Sequence, residues 1–515
     1  MTRPAPAGRL PLLPTPAWSD RRWRIGLVLL ALAAFGLRSL TFGYPLIDVD
    51  EEFYLLVGDR MLHGAIPYLD IWDRKPPGLF VFYAAIRLLG GDGIVQYQVV
   101  AALFASATTV VIAILARRIA HPLAALAAAL AYIPAAALIG GSGGQTPIFY
   151  NLPVTLAALI VLRLALRPAT ATAIRWHGAG AMLLIGVALQ LKPTALFEGV
   201  YFGLVLLWLA YRGGARPARI AADALLWIAI ALAPTLIAWG YYVAIGRNDA
   251  FLYANVGSIF ARADDATGTP LKNLGKIAAR IAPLLAAPLV GEWLLRDHLP
   301  SRQSSSGIAA HRFLLGWLMA ALFGFAVFGT YFEHYALPLL PPLAVISAAA
   351  FSLRTRNVGV VLAGFTLALL LVRMPIEARK WQHKRGDAAF ARRMEQAIAA
   401  NLHGGCLYIF YGEPIYYHLS HACMPTRWPF PFHLSLAREA GAIGVDPEAE
   451  TRRILARRPA VIVDRLVEDD EVNVRTQAIL RAGLARDYRL VFSETHDGSR
   501  HADTDRVWAL RAPAR

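Results

Sequence analysis

Cysteine is nearly missing: the 515 residues hold two, Cys406 and Cys423, both in the C-terminal quarter. Two thiols cannot build the disulfide framework of a small secreted fold. One extracytoplasmic bridge between them, or two ordinary small buried side chains, fit equally well. Charge is also scarce. Asp, Glu, Lys and Arg make up 17% of the chain, where a soluble globular protein carries roughly 25%. Acidic residues are the scarcer sign, 35 against 51 Lys and Arg, which leaves a formal charge of +16. A basic soluble protein would suggest nucleic acid as partner, but the basic stripe with interleaved aromatics that nucleic-acid binding needs is missing. No repeat of solenoid period and no clear inverted repeat is present, which argues against a solenoid and against a transporter built from inverted halves.

What the chain has in quantity is apolar sequence, 57% of its residues, gathered in long blocks. Leu27–Phe35, Val99–Leu115, Leu152–Leu166, Leu225–Ile237, Phe313–Phe328 and Val358–Val372, with their flanks, each reach the ~20 residues that cross ~30 Å of hydrocarbon. The reading is an α-helical polytopic membrane protein with about eleven transmembrane helices, at 23–42, 95–119, 122–139, 148–167, 178–192, 194–211, 220–245, 277–295, 312–331, 335–353 and 357–373. Arg21, Arg22, Arg24, Arg117, Arg118, Arg167, Arg175, Arg212, Arg216, Arg219, Arg296, Arg302, Arg312, Arg354 and Arg356 then fall on one side, which the positive-inside rule makes cytoplasmic.

Residues 1–22 are accordingly a cytoplasmic tail ahead of an uncleaved first span, and 23–373 form the membrane domain. Residues 43–94 are its first extracytoplasmic loop, and 374–515 are a small soluble extracytoplasmic α/β domain. In that domain Cys406–Tyr411, Ala460–Val463, Leu490–Ser493 and Val507–Leu510 read as strands, and Ala388–Asn401 and Glu448–Arg457 as helices.

The first loop carries the densest chemistry. It runs Asp48-Val-Asp50-Glu51-Glu52-Phe-Tyr54, then Met61-Leu62, and then Trp72-Asp73-Arg74-Lys75-Pro76-Pro77. Phe53, Leu56, Val57, Arg60 and Met61 follow helical spacing and suggest an amphipathic helix lying at the membrane surface, with Leu79–Leu89 a second. Sugar transfer to a hydroxyl needs a carboxylate to take the proton as the bond forms. A phosphate leaving group needs cations to meet its developing charge. The loop has both. The bland alternative is local: Asp48 with Glu51 fits a capping box, Asp50 fits an N-cap, and Arg74 and Lys75 fit headgroup contacts.

The order Asp50-Glu51, Tyr54, Met61-Leu62, Lys75-Pro76-Pro77, directly after the first span, resembles the first periplasmic loop of the GT-C superfamily of glycosyltransferases. That group includes protein O-mannosyltransferases, the aminoarabinose transferase that modifies lipid A, and bacterial lipopolysaccharide-core sugar transferases. The similarity covers the membrane region, about residues 20–375, and more loosely the tail. It implies an inverting transferase that moves a sugar from a polyprenyl-phosphate donor to an extracytoplasmic glycan, lipid or protein acceptor, with no cofactor and no metal. In that frame Asp50 is the base, Glu51 supports it, and Asp48 is the rival if the alignment slips by two. Lys75 meets the donor phosphate, and Tyr54 lies in the cavity. Where the aminoarabinose transferase has Glu before its Lys-Pro-Pro, this chain has Arg74, which argues against an acidic or metal-binding role there and offers a second cation.

Elsewhere, Lys192 ends a span and either snorkels or meets the donor phosphate. Tyr331-Phe-Glu333-His334-Tyr335-Ala-Leu-Pro338 resembles a family segment lining the donor cavity, which nominates His334 and Tyr335 over an interfacial aromatic belt. Gly140-Gly-Ser-Gly-Gly-Gln145-Thr146 lacks the ending of a P-loop and reads as a flexible turn. The long 246–276 loop, with Asp264 and Asp265, has the length of a lid, and Trp428-Pro-Phe-Pro-Phe432 reads as packing. Competing readings are a transporter or flippase and a non-catalytic binder of lipid-linked sugars. The location implied is a bacterial inner membrane, with the N-terminus cytoplasmic and the C-terminal domain periplasmic.

Overall fold

The computed structural model describes residues 18–263, 269–291, 299, 302–327, 329–353, 357–466, 471–496 and 503–511. Residues 1–17, Asp264, Asp265, Arg296, Phe328, Arg354 and Arg356 lie outside these. Helix α1 spans Asp20–Ser39, capped by Ser19 accepting the N–H of Arg22. Two helices of the first loop follow, α2 (Val49–Leu62) and α3 (Pro77–Arg87). Then come α4 (Ile94–Ala116), α5 (Pro122–Leu138), α6 (Thr146–Leu166), α7 (Ala171–Leu191), α8 (Leu196–Arg212) and α9 (Pro217–Ala244). Several begin with proline in the first turn, where the missing N–H has no intrahelical partner to lose.

After two short helices, α10 (Asn248–Leu252) and α11 (Ser258–Phe260), the chain enters α12 (Thr269–Leu289), α13 (Ser305–Val327), α14 (Leu340–Phe351) and α15 (Val358–Arg385). The described part of the 246–276 loop is thus largely helical. Eleven helices occupy the eleven expected spans. Among the described residues eight are long and apolar enough to cross a membrane, and α1, α5 and α12 fill the other three positions. Val28, Leu29 and Leu32 on α1, Leu225, Ile228 and Ile237 on α9, and Val360, Val361 and Phe365 on α15 all stand exposed. Bands of this kind are stable in hydrocarbon and not in water. The chain is a multi-span membrane protein.

Helix α15 does not stop at Arg373. It continues past the expected boundary to Arg385 and breaks at Gly386, whose φ of 92° suits glycine. Charge begins at 373, but charged residues do not end a helix. The remaining elements are α16 (Ala388–Leu402), β1 (Leu407–Ile409), α17 (Ile415–Leu419), α18 (Phe432–Ser435), α19 (Pro447–Ala456), β2 (Val461–Leu466), α20 (Val474–Asp487), β3 (Tyr488–His496) and β4 (Asp503–Leu510). The sheet order is β1-β2-β4-β3, with β1 parallel to β2 and the other pairs antiparallel. A disulfide joins Cys406 to Cys423.

The alternation of a strand sorts this sheet's residues between two cores. Leu407, Ile409, Val461 and Val463 join one apolar cluster that runs through Phe53 and Leu56 of α2 into the membrane helices. Tyr408 and Ile462 face the other way, onto Ile454, Leu480 and Leu484. Helix α2 is therefore not a surface helix with one wet face. Ten of its fourteen residues are buried, Glu51 and Glu52 included, because the membrane core covers one side and the C-terminal domain the other.

Candidate active site

The first turn of α2 sets the site. Asp48 is the N-cap, its side chain accepting the N–H of Asp50 at 3.1 Å. Consecutive helical residues diverge by about 100°, so the three carboxylates that follow go three ways. Asp50 reaches Lys75 (3.9 Å from Nζ) and His334 (3.8 Å from Nε2). Glu51 turns into the glycine-rich loop and accepts the N–H of Gly144. Glu52 turns to the C-terminal domain and accepts the N–H of Ile415 at 3.4 Å. Glu51 makes no capping-box bond here; its Oε2 turns to Gly144 instead.

That loop is not a flexible turn. Arg38, buried in α1, donates to the carbonyls of Gly141 and of Gly143, the latter at 2.6 Å. Tyr83 Oη donates to the Gly144 carbonyl at 2.7 Å. A Cβ on Gly143 would lie 2.0 Å from Glu51 Oε2, so only glycine lets the carboxylate come so close. The loop ends at Gln145, whose amide donates to Asp48 at 3.0 Å and to Asp50 at 3.4 Å.

These surroundings drive the carboxyls apart. Burial raises Asp50, but Lys75, His334 and Lys192 together outweigh it and hold the group below the ordinary carboxylate range. Burial, with Asp48 beside it, pushes Glu51 well above that range. Burial and Glu413 do the same to Glu52. Burial lifts Asp48 to about 6 against the opposing charge of Arg385, 3.7 Å away. Burial disfavours the Lys75 ammonium, but Asp73 (3.6 Å) and Asp50 outweigh it, so its pKa is raised. Groups whose environments separate their pKa values in this way are candidates for acid–base roles.

Tyr54 follows Asp50 by one helical turn, on the same face, and its ring lies 5.3 Å from the Lys75 ammonium. Lys192 caps the C-terminus of α7 before Pro193 and holds its ammonium 4.1 Å from the ring centroid of Tyr335. Tyr335 and His334 belong to a 3₁₀ segment, Glu333–Leu339, leading into α14. Lys192, Tyr335, Tyr150, Thr194 and Glu198 line a small cavity between α6, α8 and α13. Arg74 lies farther out and pairs with Glu439 of the C-terminal domain, which Arg262 also contacts at 3.0 Å. Asp48, Asp50, Lys75, Lys192, Tyr54, His334 and Tyr335 thus surround one region; Glu51 and Arg74 border it with their side chains engaged elsewhere.

Sequence reasoning passed over Arg38, Asp73, Glu198 and Glu439, and gave Gln145 no role. Two of these left a signal: Arg38 and Glu198 are lone charges within apolar spans, which marks a residue for attention. Glu439 left none, because its partners Arg74 and Arg262 lie far away in the chain.

A carboxylate held charged on a loop helix, cations beside it, and a cavity walled by transmembrane helices sit within a fold that the chain shares, along nearly its whole length, with solved membrane proteins. Among particular structures, it is similar to ArnT from Cupriavidus metallidurans bound to undecaprenyl phosphate, at 15% identity and a TM-score of 0.62, covering 96% of this chain and 99% of that one. The apo state of the same protein gives 16% and 0.59, over 94% and 97%. The apo oligosaccharyltransferase of Archaeoglobus fulgidus gives 14% and 0.54, over 86% of this chain and 70% of that one. No sequence-family profile and no curated protein matches the chain.

Proposed function

We propose that this protein is an inverting glycosyltransferase that moves a sugar from a polyprenyl phosphate to a hydroxyl-bearing acceptor at the outer face of a bacterial inner membrane. The observation that carries the reading is Asp50, a carboxylate kept ionised between Lys75, His334 and Gln145. A fold shared with a structure that holds undecaprenyl phosphate supports the donor class.

In this reading Asp50 accepts the proton of the acceptor hydroxyl while that oxygen bonds to the sugar's anomeric carbon. The bond from that carbon to the phosphate oxygen breaks, and the polyprenyl phosphate leaves as an anion. Lys75 and Lys192 take up its charge, which develops in the transition state. The same cations hold Asp50's pKa down in the free protein. A phosphate on them relieves that pull, so donor binding makes Asp50 a stronger base. His334 and Tyr335 line the donor head, and Tyr54 orients Lys75. Glu51 acts indirectly, by fixing the loop that presents Gln145. Arg74 braces the Lys75 segment against the C-terminal domain. The proposed transfer needs neither metal nor cofactor.

Sidedness follows the basic residues. Arg117 stands 6.0 Å over Trp23, near the start of α1, and Arg118 feels the charges of Arg163 and Arg167. This clustering at one end supports a cytoplasmic N-terminus and an external C-terminal domain.

The test is mass spectrometry of envelope glycolipids, glycans and proteins from cells with and without the gene. A loss of one sugar mass from one acceptor class is expected. An unchanged envelope, together with no transfer from polyprenyl-phosphate sugars by purified protein, would contradict the proposal.

A further inference from the structure

Asp48 uses its two oxygens differently. Oδ1 accepts the N–H of Asp50 at 3.1 Å and the amide of Gln145 at 3.0 Å. Oδ2 faces the guanidinium of Arg385 at 3.7 Å. The other arm of that guanidinium faces Oε2 of Glu413, in the C-terminal domain, also at 3.7 Å. Glu413 is buried and anchored in turn. Arg465 of β2 reaches its Oε1 at 3.2 Å and Asp505 of β4 at 2.8 Å. The side chain of Arg385 therefore stands between the first turn of α2 and the sheet.

Arg385 is the last residue of α15, where a cation suits the helix dipole wherever it points. The dipole alone would leave the side chain in water, yet it is only 14% exposed. Trp381, one turn back on the same helix, has its ring centroid 5.5 Å from the guanidinium carbon. Arginine stacks on an aromatic face and keeps its edge N–H groups for carboxylates. Tyr44 donates to the Gly386 carbonyl at 2.5 Å, which ties the end of α15 to the α1–α2 connection. Burial raises the pKa of Asp48 and, with Glu413, that of Glu52; in both, Arg385 is the charge that opposes it most. Without that cation these buried carboxyls take up protons instead. A neutral Asp48 accepts the N–H of Asp50 and the amide of Gln145 less strongly than a carboxylate does. Those two groups are the backbone and the amide against which the Asp50 side chain is set.

We propose that Arg385 is a positioning residue for the transfer: through Asp48 it fixes the turn that presents Asp50, and through Glu413 it makes that placement depend on the C-terminal domain. The proposal rests on the transferase reading and adds to it a control of the base by the domain. Arg385 acts through Asp48 and touches no reacting atom.

The test is a double-mutant cycle on the full-length protein in nanodiscs, with Arg385→Gln, Asp48→Asn and the pair. Polyprenyl-phosphate affinity, single-turnover transfer and thermal melts are measured on the same preparations. A displacement of ~1 Å at a reacting group costs up to about 10²-fold, so Arg385→Gln should slow transfer by about 10–10²-fold and leave donor affinity within about twofold. Arg385→Lys, which keeps the charge, should recover most of the rate. The pair should be no slower than the slower single variant, because residues that act through one another are not additive. Glu413→Gln should slow transfer by about threefold or more, within the range of coupling between neighbouring groups. Transfer at the wild-type rate by Arg385→Gln, or a pair whose loss is the product of the two single losses, overturns the proposal. Donor affinity that falls in parallel with the rate puts Arg385 on the donor side and overturns it as well. A wild-type rate in Glu413→Gln overturns the domain's part. Where melts show Arg385→Gln unfolded at the assay temperature, the comparison of the pair with Asp48→Asn and the rate of Glu413→Gln decide instead. A wild-type protein that binds polyprenyl phosphate yet transfers no sugar overturns the transferase reading, and the positioning role falls with it, whatever the melts show of the Asp48–Arg385 link.

Discussion

The ammonium of Lys75 lies 3.9 Å from Oδ1 of Asp50 and 3.6 Å from Oδ1 of Asp73. Both distances exceed a direct hydrogen bond. The lysine is held between two carboxylates without being consumed by either, so a phosphate can take its donors without first breaking a tight pair. Lys75→Met and Lys192→Met should each weaken polyprenyl-phosphate binding by about tenfold or more, since a hydrogen bond to a charged group contributes about 1.5–3 kcal/mol. Equilibrium binding of labelled polyprenyl phosphate checks this. Unchanged affinity in both would remove the cations from the donor site.

The pH dependence follows from opposite shifts. Asp50 lies below its ordinary 3.8, so the acid limb of kcat/KM, which reports the free enzyme, should lie below that value. Asp48 is raised to about 6. A carboxyl whose folded pKa is raised contributes stability below its unfolded pKa and loses it as pH rises through the folded one. Raising the pH from about 4 to 7 should therefore lower the melting temperature of the wild type. Asp48→Asn keeps an N-cap and should flatten that slope. An equal slope in both would show that Asp48 does not titrate there.

Glu439 joins the C-terminal domain to the Lys75 segment through Arg74 and to the 246–276 loop through Arg262. Together those cations hold its carboxyl below the ordinary range against its burial. Glu439→Ala leaves the guanidinium groups of Arg74, Arg262 and Arg438 without the carboxylate between them. Breaking one partner of a buried pair costs about 3–5 kcal/mol. Thermal melts should show a marked drop, and donor KM should rise more than kcat falls. A melt within a degree of wild type would mean the junction bears no strain.

Much of the fold is written in the sequence because its signals are local. Apolar runs located the eleven helices, and the spacing of Asp50 and Tyr54 is one helical turn, so a linear motif coincides with one face. Lys75-Pro76-Pro77 places the cation just ahead of a helix whose first turn proline favours. What could not be read depends on distant partners. Glu51 and Glu52 look solvated until Gly144 and Ile415 are folded over them. The amphipathic pattern of α2 suggested a membrane surface because nothing local reveals the domain that covers its polar side. Helix α20 escaped notice since its charged residues dilute the apolar period, and its buried face is the narrow set Thr476, Leu480, Gly483 and Leu484.

The Cys406–Cys423 bridge closes a separation of 17 residues. In the chain-entropy account a loop of that size contributes about 3 kcal/mol. Cys406→Ser with Cys423→Ser should lower the stability of the C-terminal domain without removing any group from the active site. Limited proteolysis should cut sooner within 374–515, while turnover at low temperature persists. Equal proteolysis rates would show the bridge to be stabilising nothing.

The central claim is that Asp50 takes the acceptor's proton, and Asp50→Asn tests it, because the amide keeps the shape and cannot accept that proton. Polyprenyl-phosphate binding and single-turnover transfer should be measured side by side on wild type and variant. Donor affinity should be equal to or tighter than wild type, and the transfer rate should fall by about 10²–10⁴-fold, the usual worth of a positioned base. Transfer at the wild-type rate by Asp50→Asn would contradict it.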